Sequence, residues 1–486
     1  MESTSSRLSL PGNRRLHLIL AGVAGALVGV LVAVLLLGGG GSDEAPPAAA
    51  TAKLVPASAL VYVHLSTDGE RDGTARALQI AEGFPGWDAL RDRTVRRLVA
   101  AGRDGARAAG VSPFLGDEAA LALTDRGTEV AGSLVMLSVT DAAAANRYLE
   151  RGQGTVRESD ARGITTRTFG TLVTAIIGDV LVIGQLQSVR EAIELSTGRG
   201  DTLADDPTYR RAMEGMPADR AADAWATADG IRRLLAPQGG VLGIAGALLD
   251  APGLRATALA ATAQDDGMQL RVRRIVDPDA QGKVAEGFDP SLAEFMPDDV
   301  FAFADLRNLS GVAQNFLSLA AQNTEARELI AAAQEGGALR FLQGEVGVGL
   351  SPGVPASVLT LVAKTDNEEG ARRALRALKK PLVGEVVDGR VIVATSAAGL
   401  SAAKDPDPPL AESAIFQKAV GDSDIGVSSL LFLDFTQLLR LGEQTGLRDN
   451  RDYLAVAPDL ERVRAVGVSS TSEEGASNAE IFFLIP

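Results

Sequence analysis

The chain has 486 residues, 46% of them hydrophobic and 22% charged, with a formal net charge of −15 and no cysteine. That balance excludes a disordered polymer and a disulfide framework, and leaves stability to core packing. The acidic excess disfavours nonspecific attraction to nucleic acid or to anionic lipid headgroups, because both are already negative.

In chain order, residues 1–15 carry Arg7, Arg14 and Arg15, and the run Leu16 to Leu37 that follows has no charge beyond His17. About 20 apolar residues span a bilayer core, so residues 16–37 are predicted to be a transmembrane signal anchor that contacts the lipid bilayer. A cleaved signal has a shorter apolar region of roughly 7–15 residues, whereas this one continues through Val28, Val30, Val32 and Val34. Without cysteine there is no thiol to lipidate. Asp43 and Glu44 follow the run, so the positive-inside rule predicts a cytoplasmic N-terminus and an extracellular remainder on a single-pass cell-membrane protein. Residues 38–53 open with four glycines and include Pro46-Pro47, which reads as a flexible linker with a reach on the order of 20 Å.

Beyond the linker the elements recur. Pro56-Ala57-Ser58-Ala59-Leu60-Val61-Tyr62-Val63-His64-Leu65 is a proline, a turn and an apolar strand, and so is Pro297 to Leu306. Phe114-Leu115-Gly116-Asp117-Glu118 through Thr124 aligns without a gap on Phe341 to Ser351. Strands at Leu134–Val139 and Leu359–Lys364 each run into Thr-Asp, at Thr140-Asp141 and Thr365-Asp366, where those side chains are expected to cap a helix. Gly178-Asp179 and Asp388-Gly389 sit between β-branched runs as hairpin turns, Tyr209–Met213 mirrors Phe416–Val420, and final hairpins turn at Asp265-Asp266-Gly267 and Glu473-Glu474-Gly475. The pattern predicts an α+β fold of two tandem homologous modules, residues 54–276 and 291–486, joined by a linker over 277–290. Each is expected to be a largely antiparallel sheet with helices packed on one face.

The opening Leu54-Val55-Pro56-Ala57-Ser58-Ala59-Leu60-Val61-Tyr62, the Phe114–Glu118 step and the placement of the anchor together resemble an uncharacterised family of anchored envelope proteins from high-GC bacteria, domain of unknown function 3352. The resemblance runs over residues 54–486 and implies no activity.

Few residues carry candidate chemistry. His64 is the one histidine after the anchor, and its counterpart in the second module is Asp305. A single imidazole with no thiol makes no ordinary zinc site, and no serine lies in a Gly-x-Ser-x-Gly elbow, so His64 reads as structural or surface-placed. Glu118 and Glu345 share one position and Asp229 and Asp434 another; paired carboxylates can hydrolyse glycosides if they face each other, but as copied residues they read first as caps of turns and helix starts. Asp405-Pro406-Asp407-Pro408-Pro409 reads as a stiff polar linker. No calcium loop or phosphate loop is present, and Asn308-Leu309-Ser310 is a formal glycosylation triplet of little weight. Val241 to Leu249 is uncharged where the second module reads Gly442 to Asn450, and it is too short to span a bilayer. It reads as a buried helix, or else as the lining for an apolar ligand or a membrane-surface contact.

No catalytic, cofactor-binding or metal residue is therefore predicted. The expected function is that of a non-catalytic cell-envelope protein whose partner is another envelope protein or a lipid ligand, and not nucleic acid. The alternatives are a carboxylate-dependent hydrolase working through Glu118, Asp117 or their counterparts, and a structural spacer.

Overall fold

The structure, a computed structural model, describes residues 47, 49–89, 114–127, 131–150, 157–169, 172–235, 252–281, 284, 286–307, 344–353, 357–376, 378, 382–421, 426–444 and 446–485. The expected anchor at 16–37, the uncharged stretch 241–249 and the triplet 308–310 lie outside the described residues. No helix among the described residues is long and apolar enough to cross a membrane. The chain divides into two compact units, Met1–Gly282 with Leu441–Arg462, and Lys283–Arg440 with Val463–Pro486.

Among the described residues of the first unit there are ten strands: β1 (Ala59–Ser66), β2 (Leu115–Thr124), β3 (Gly132–Val139), β4 (Arg157–Ala161), β5 (Ile164–Phe169), β6 (Leu172–Ile177), β7 (Val180–Gly184), β8 (Ala222–Thr227), β9 (Leu254–Gln264) and β10 (Gly267–Val276). All pair antiparallel, in the order β4-β5-β6-β7-β3-β2-β1-β8-β9-β10. Helices α1 (Asp72–Glu82), α2 (Ala142–Glu150), α3 (Leu186–Ser196) and α4 (Pro207–Met213) connect them.

The second unit has β11 (Ala302–Arg307), β12 (Glu345–Ser351), β13 (Val358–Lys364), β14 (Val383–Val387), β15 (Arg390–Ala394), β16 (Ser429–Asp434), β17 (Ala465–Glu473) and β18 (Ala476–Leu484). Their antiparallel order is β14-β15-β13-β12-β11-β16-β17-β18. Helices α5 (Glu368–Leu375), α6 (Ala397–Lys404) and α7 (Ala414–Val420) belong to this unit. Among the described residues this is, strand for strand, the order of the first unit without the hairpin β4–β5, whose Arg162-Gly163 turn has φ of 57° and 80°. The α+β class and the antiparallel sheets are as the sequence predicts.

Each unit sets one aromatic side chain of a short helix between two strand aromatics. Tyr209 of α4 meets Tyr62 of β1 and Trp225 of β8 edge-on, with ring centroids 6.1 and 5.9 Å apart. Phe416 of α7 meets Phe303 of β11 and Phe432 of β16 in the same way, at 6.1 and 5.2 Å. Edge-to-face contact suits the ring quadrupoles and adds to simple area burial. The second trio is wholly hydrocarbon and lies in a core with Leu292, Met296, Val362, Ile392 and Leu484. The first trio carries polar tips, and polar groups surround it.

Several local expectations need correction. The linker read over 38–53 ends early, because Ala50–Leu54 forms a 3-10 turn with Thr51 and Ala52 buried. Asp141 does cap α2, accepting from Ala144 N at 2.9 Å, but the cap of α5 is Asn367, which accepts from Gly370 N at 2.9 Å. Asn is as good an acceptor there as Asp, and Thr365 Oγ1 instead holds the Asn367 amide at 3.1 Å. Residues 405–409 are no free linker: Pro409 bridges Pro297, Leu410 N donates to Met296 O at 2.7 Å, and the Leu410 side chain is buried. The Asp407-Pro408 bond in this segment is cis.

Helix α7 lies close against the sheet at Gly467 of β17, where an added Cβ would lie 1.9 Å from the Ala419 carbonyl oxygen. Backbone cannot yield as a side-chain tip can, so Gly467→Ala is expected to destabilise the second unit by roughly 1–3 kcal/mol. Calorimetric unfolding measures it; an unchanged transition would show that the helix is free to shift.

Candidate functional site

The polar cluster of the first unit is built from the middle of β1 outward. Tyr62 and His64 stack on one face, as alternation predicts, but a bulge between Ala59 and Val61 breaks the alternation before them and Leu60 packs instead with Val61 and Ala226; His64 is fully buried. Its neighbours are set by register: His64 faces Ala120 on β2 and Asp223 on β8, while Glu118 lies opposite Ser66. His64 Nδ1 pairs with Asp223 Oδ2 at 3.1 Å, and Nε2 lies 3.7 Å from Glu118 Oε1 with no hydrogen-bond partner among the described residues. Arg220, in the turn before β8, donates from Nε to Asp223 Oδ2 at 2.9 Å and from a terminal nitrogen to Pro217 O at 2.9 Å.

Glu118 is the other pole of the cluster and is buried. Its Oε2 accepts from Ala50 N at 2.9 Å, its Oε1 accepts from Thr51 N at 2.7 Å, and the Thr51 hydroxyl donates to the same Oε1. Thr51 Oγ1 also pairs with Tyr62 Oη at 2.7 Å. The turn Ala50–Leu54 is thus a strap clasped by one carboxylate, which satisfies amides that a 3-10 turn leaves free. Val55 O accepts from Leu203 N at 2.8 Å and extends the attachment.

Burial pushes the His64 imidazole down, but the Asp223 carboxylate and, more weakly, Glu118 outweigh it, so the ring holds its proton above the ordinary 6.5. Burial likewise raises Asp223, and His64 and Arg220 together hold it below the usual carboxylate value. Tyr62 and Tyr209 are pushed up by burial and stay neutral.

The second unit repeats the clasp with different chemistry. Glu345 Oε1 accepts from Ser291 N and Oγ, each at 2.7 Å, and its Oε2 meets Lys364 Nζ at 2.5 Å. Asp305 takes the place of His64, facing Gly347 and Leu430, so an apolar side chain stands where Asp223 does. Its Oδ2 accepts from Leu292 N at 3.1 Å, and its Oδ1 finds no donor among the described residues. Burial and the adjacent Glu345 charge raise Asp305 to about 7, whereas Lys364 and Ser291 overcome burial and lower Glu345, so the two carboxyls share one proton near neutrality.

The other sequence candidates do not join either cluster. Asp117 is exposed beside buried Glu118. Asp229 is exposed and pairs with Arg233 at 2.9 Å. Asp434 caps the turn after β16, accepting from Gln437 N at 2.9 Å, and the residue that does this after β8 is Thr227, holding Gly230 N at 2.9 Å. Register thus matches Asp434 with Thr227, and not with Asp229. Sequence reasoning missed Thr51, Ser291, Asp223, Arg220 and Lys364; a hydroxyl residue upstream of each proline-led strand is the one local signal for the first two. Among the described residues no three His, Asp or Glu converge as metal ligands.

The family described as "Protein of unknown function (DUF3352)" matches residues 19–382, three quarters of the chain. This chain belongs to that family. The DUF3352 match takes in strands β1 to β13, both clasps included, and it stops before β14, short of the 54–486 span of the sequence resemblance. No curated protein matches the chain. Solved structures of TP0453 are similar to it: crystal form III at 12% identity over 48% of this chain and 80% of that one with a TM-score of 0.29, and form I at 11% over 49% and 81% with a TM-score of 0.30.

Two outcomes follow from the clasps. Glu118→Ala strips acceptors from Ala50 and Thr51 and leaves the imidazolium short of a counter-charge, at an expected loss of about 3 kcal/mol. Denaturant unfolding followed through Trp87 and Trp225, both in the first unit, measures it, and a loss under about 0.5 kcal/mol would mean the clasp is incidental. Asp305 binds its proton more tightly folded than unfolded, about 7 against 3.8, so the stability it contributes at low pH is lost as pH rises through that interval. Asp305→Asn is expected to flatten this slope and to unfold at higher temperature than the parent above pH 7; a slope like the parent's would assign it to another group.

Proposed function

We propose that this protein is a non-catalytic cell-envelope protein, anchored by residues 16–37, whose outward-facing portion is a tandem duplication that binds another envelope component or an apolar ligand. The observation that carries the non-catalytic reading is the fate of the paired acids. Glu118 and Glu345 are each turned inward onto backbone amides, and a carboxylate committed to structure cannot also protonate a leaving group. Asp305 and Glu345 do meet, but Asp305 has no exposed surface for a substrate to reach. The duplication draws support from the common strand order, the edge-on aromatic trio and the clasp at the same register position in both units. The 22-residue run 16–37, without a charge beyond His17 and preceded by three arginines, supports the anchor and the outward orientation.

The test is native mass spectrometry with lipid extraction on the full chain purified from its own envelope, paired with cross-linking in intact cells. A lipid at one per chain, or one envelope protein cross-linked reproducibly, is the expected result. Turnover of an envelope polymer that Glu345→Gln abolishes while the protein stays folded would replace this reading with the hydrolase.

A further inference from the structure

We propose that His64 is a proton-operated latch on the strap Ala50–Leu54: its imidazolium, seated between Asp223 and Glu118, keeps Glu118 in the interior, and loss of that proton frees the two strap amides that Glu118 grips. The inference goes beyond the envelope-binding reading and stands whether or not that reading does.

The charge balance of the cluster carries it. Against His64 stand Glu118 from β2, Asp223 from β8 with Arg220 from the turn before it, and Tyr62 from its own strand, stacked at 6.3 Å; Thr51 of the strap reaches Glu118 and Tyr62, and Tyr209 of α4 meets Tyr62. Arg220 is engaged by Asp223 and the Pro217 carbonyl, and among the described residues the positive group set against Glu118 is the imidazolium, at 3.7 Å. With the proton on, two carboxylates meet two cations. With it off, Nδ1–H still serves Asp223, but Nε2 turns a lone pair toward Glu118 Oε1, and a buried carboxylate is left uncompensated. An uncompensated buried charge is driven toward water, and that movement weakens its hold on Ala50 N and Thr51 N. Because the ring's affinity for its proton is raised in the fold, the latch is closed at low pH and opens as pH rises through the folded value. In the second unit Lys364 neutralises Glu345 directly, so its clasp has no imidazole to depend on.

The experiment is hydrogen–deuterium exchange on the full-length chain from pH 5.5 to 9, read on peptides covering residues 49–56 and corrected for intrinsic exchange, beside an NMR titration of His64. Protection of the strap peptide is expected to fall at least about tenfold across the pH range in which His64 titrates, while peptides from β17–β18 hold theirs. In His64→Gln the strap is expected to exchange fast at every pH; should that variant not fold, the parent's two titrations decide alone. Protection that does not change with pH, or that falls at a midpoint other than that of His64, overturns the latch.

Discussion

A carboxylate taken out of water must find donors or a counter-charge, and the architecture of both units is arranged around one such carboxylate. Glu118 and Glu345 stand at the same register position on the second strand, and each gathers in the chain that leads to the first strand. That fixes where the central strand begins, and hence which of its residues face the short helix behind it. The partners then diverge: the first unit compensates its glutamate with an imidazole held by Asp223, and the second with a lysine on β13. Burying such groups is weak evidence for stability in itself, but it sets a demanding geometric condition that alternative pairings would not meet.

The aromatic trios explain why the two units tolerate different polar chemistry on one strand order. Phe303, Phe416 and Phe432 need nothing from their surroundings except volume. Tyr62, Tyr209 and Trp225 occupy the same places and bring hydroxyl and indole tips, and the Tyr62 hydroxyl is met by Thr51. A polar-tipped core of this kind accepts His64 and Asp223 on the same face, where a hydrocarbon core would not. The corresponding positions in the second unit are Asp305, held near neutrality, and Leu430.

How much of this was legible follows from the range of each interaction. Hairpin turns such as Asp388-Gly389, with φ of 48° and 72°, are written in adjacent residues, and so are the proline-led strands; these emerged where the sequence placed them. The equivalence of Glu118 and Glu345 was visible because it lies inside an ungapped match. What they grip was not, since Thr51 sits in a stretch whose glycine and proline content resembles a tether. The His64–Asp223 contact joins residues 159 apart, and strand order decides it. Asp229 looked like the mate of Asp434 because both follow a strand end, but the caps are chosen by which residue holds the last extended φ, and that is Thr227. In the same way Asn367 displaced Asp366 by one position.

The strap has a mechanical meaning as well. A pull arriving through the residues before Ala50 meets, as its first fastening in the described structure, two amides and a hydroxyl seated on one carboxylate, with Tyr62 behind them. Resistance to peeling there depends on an ionic cluster and not on a ladder of strand hydrogen bonds. Tension on the chain and the protonation of one histidine are consequently two inputs to a single joint.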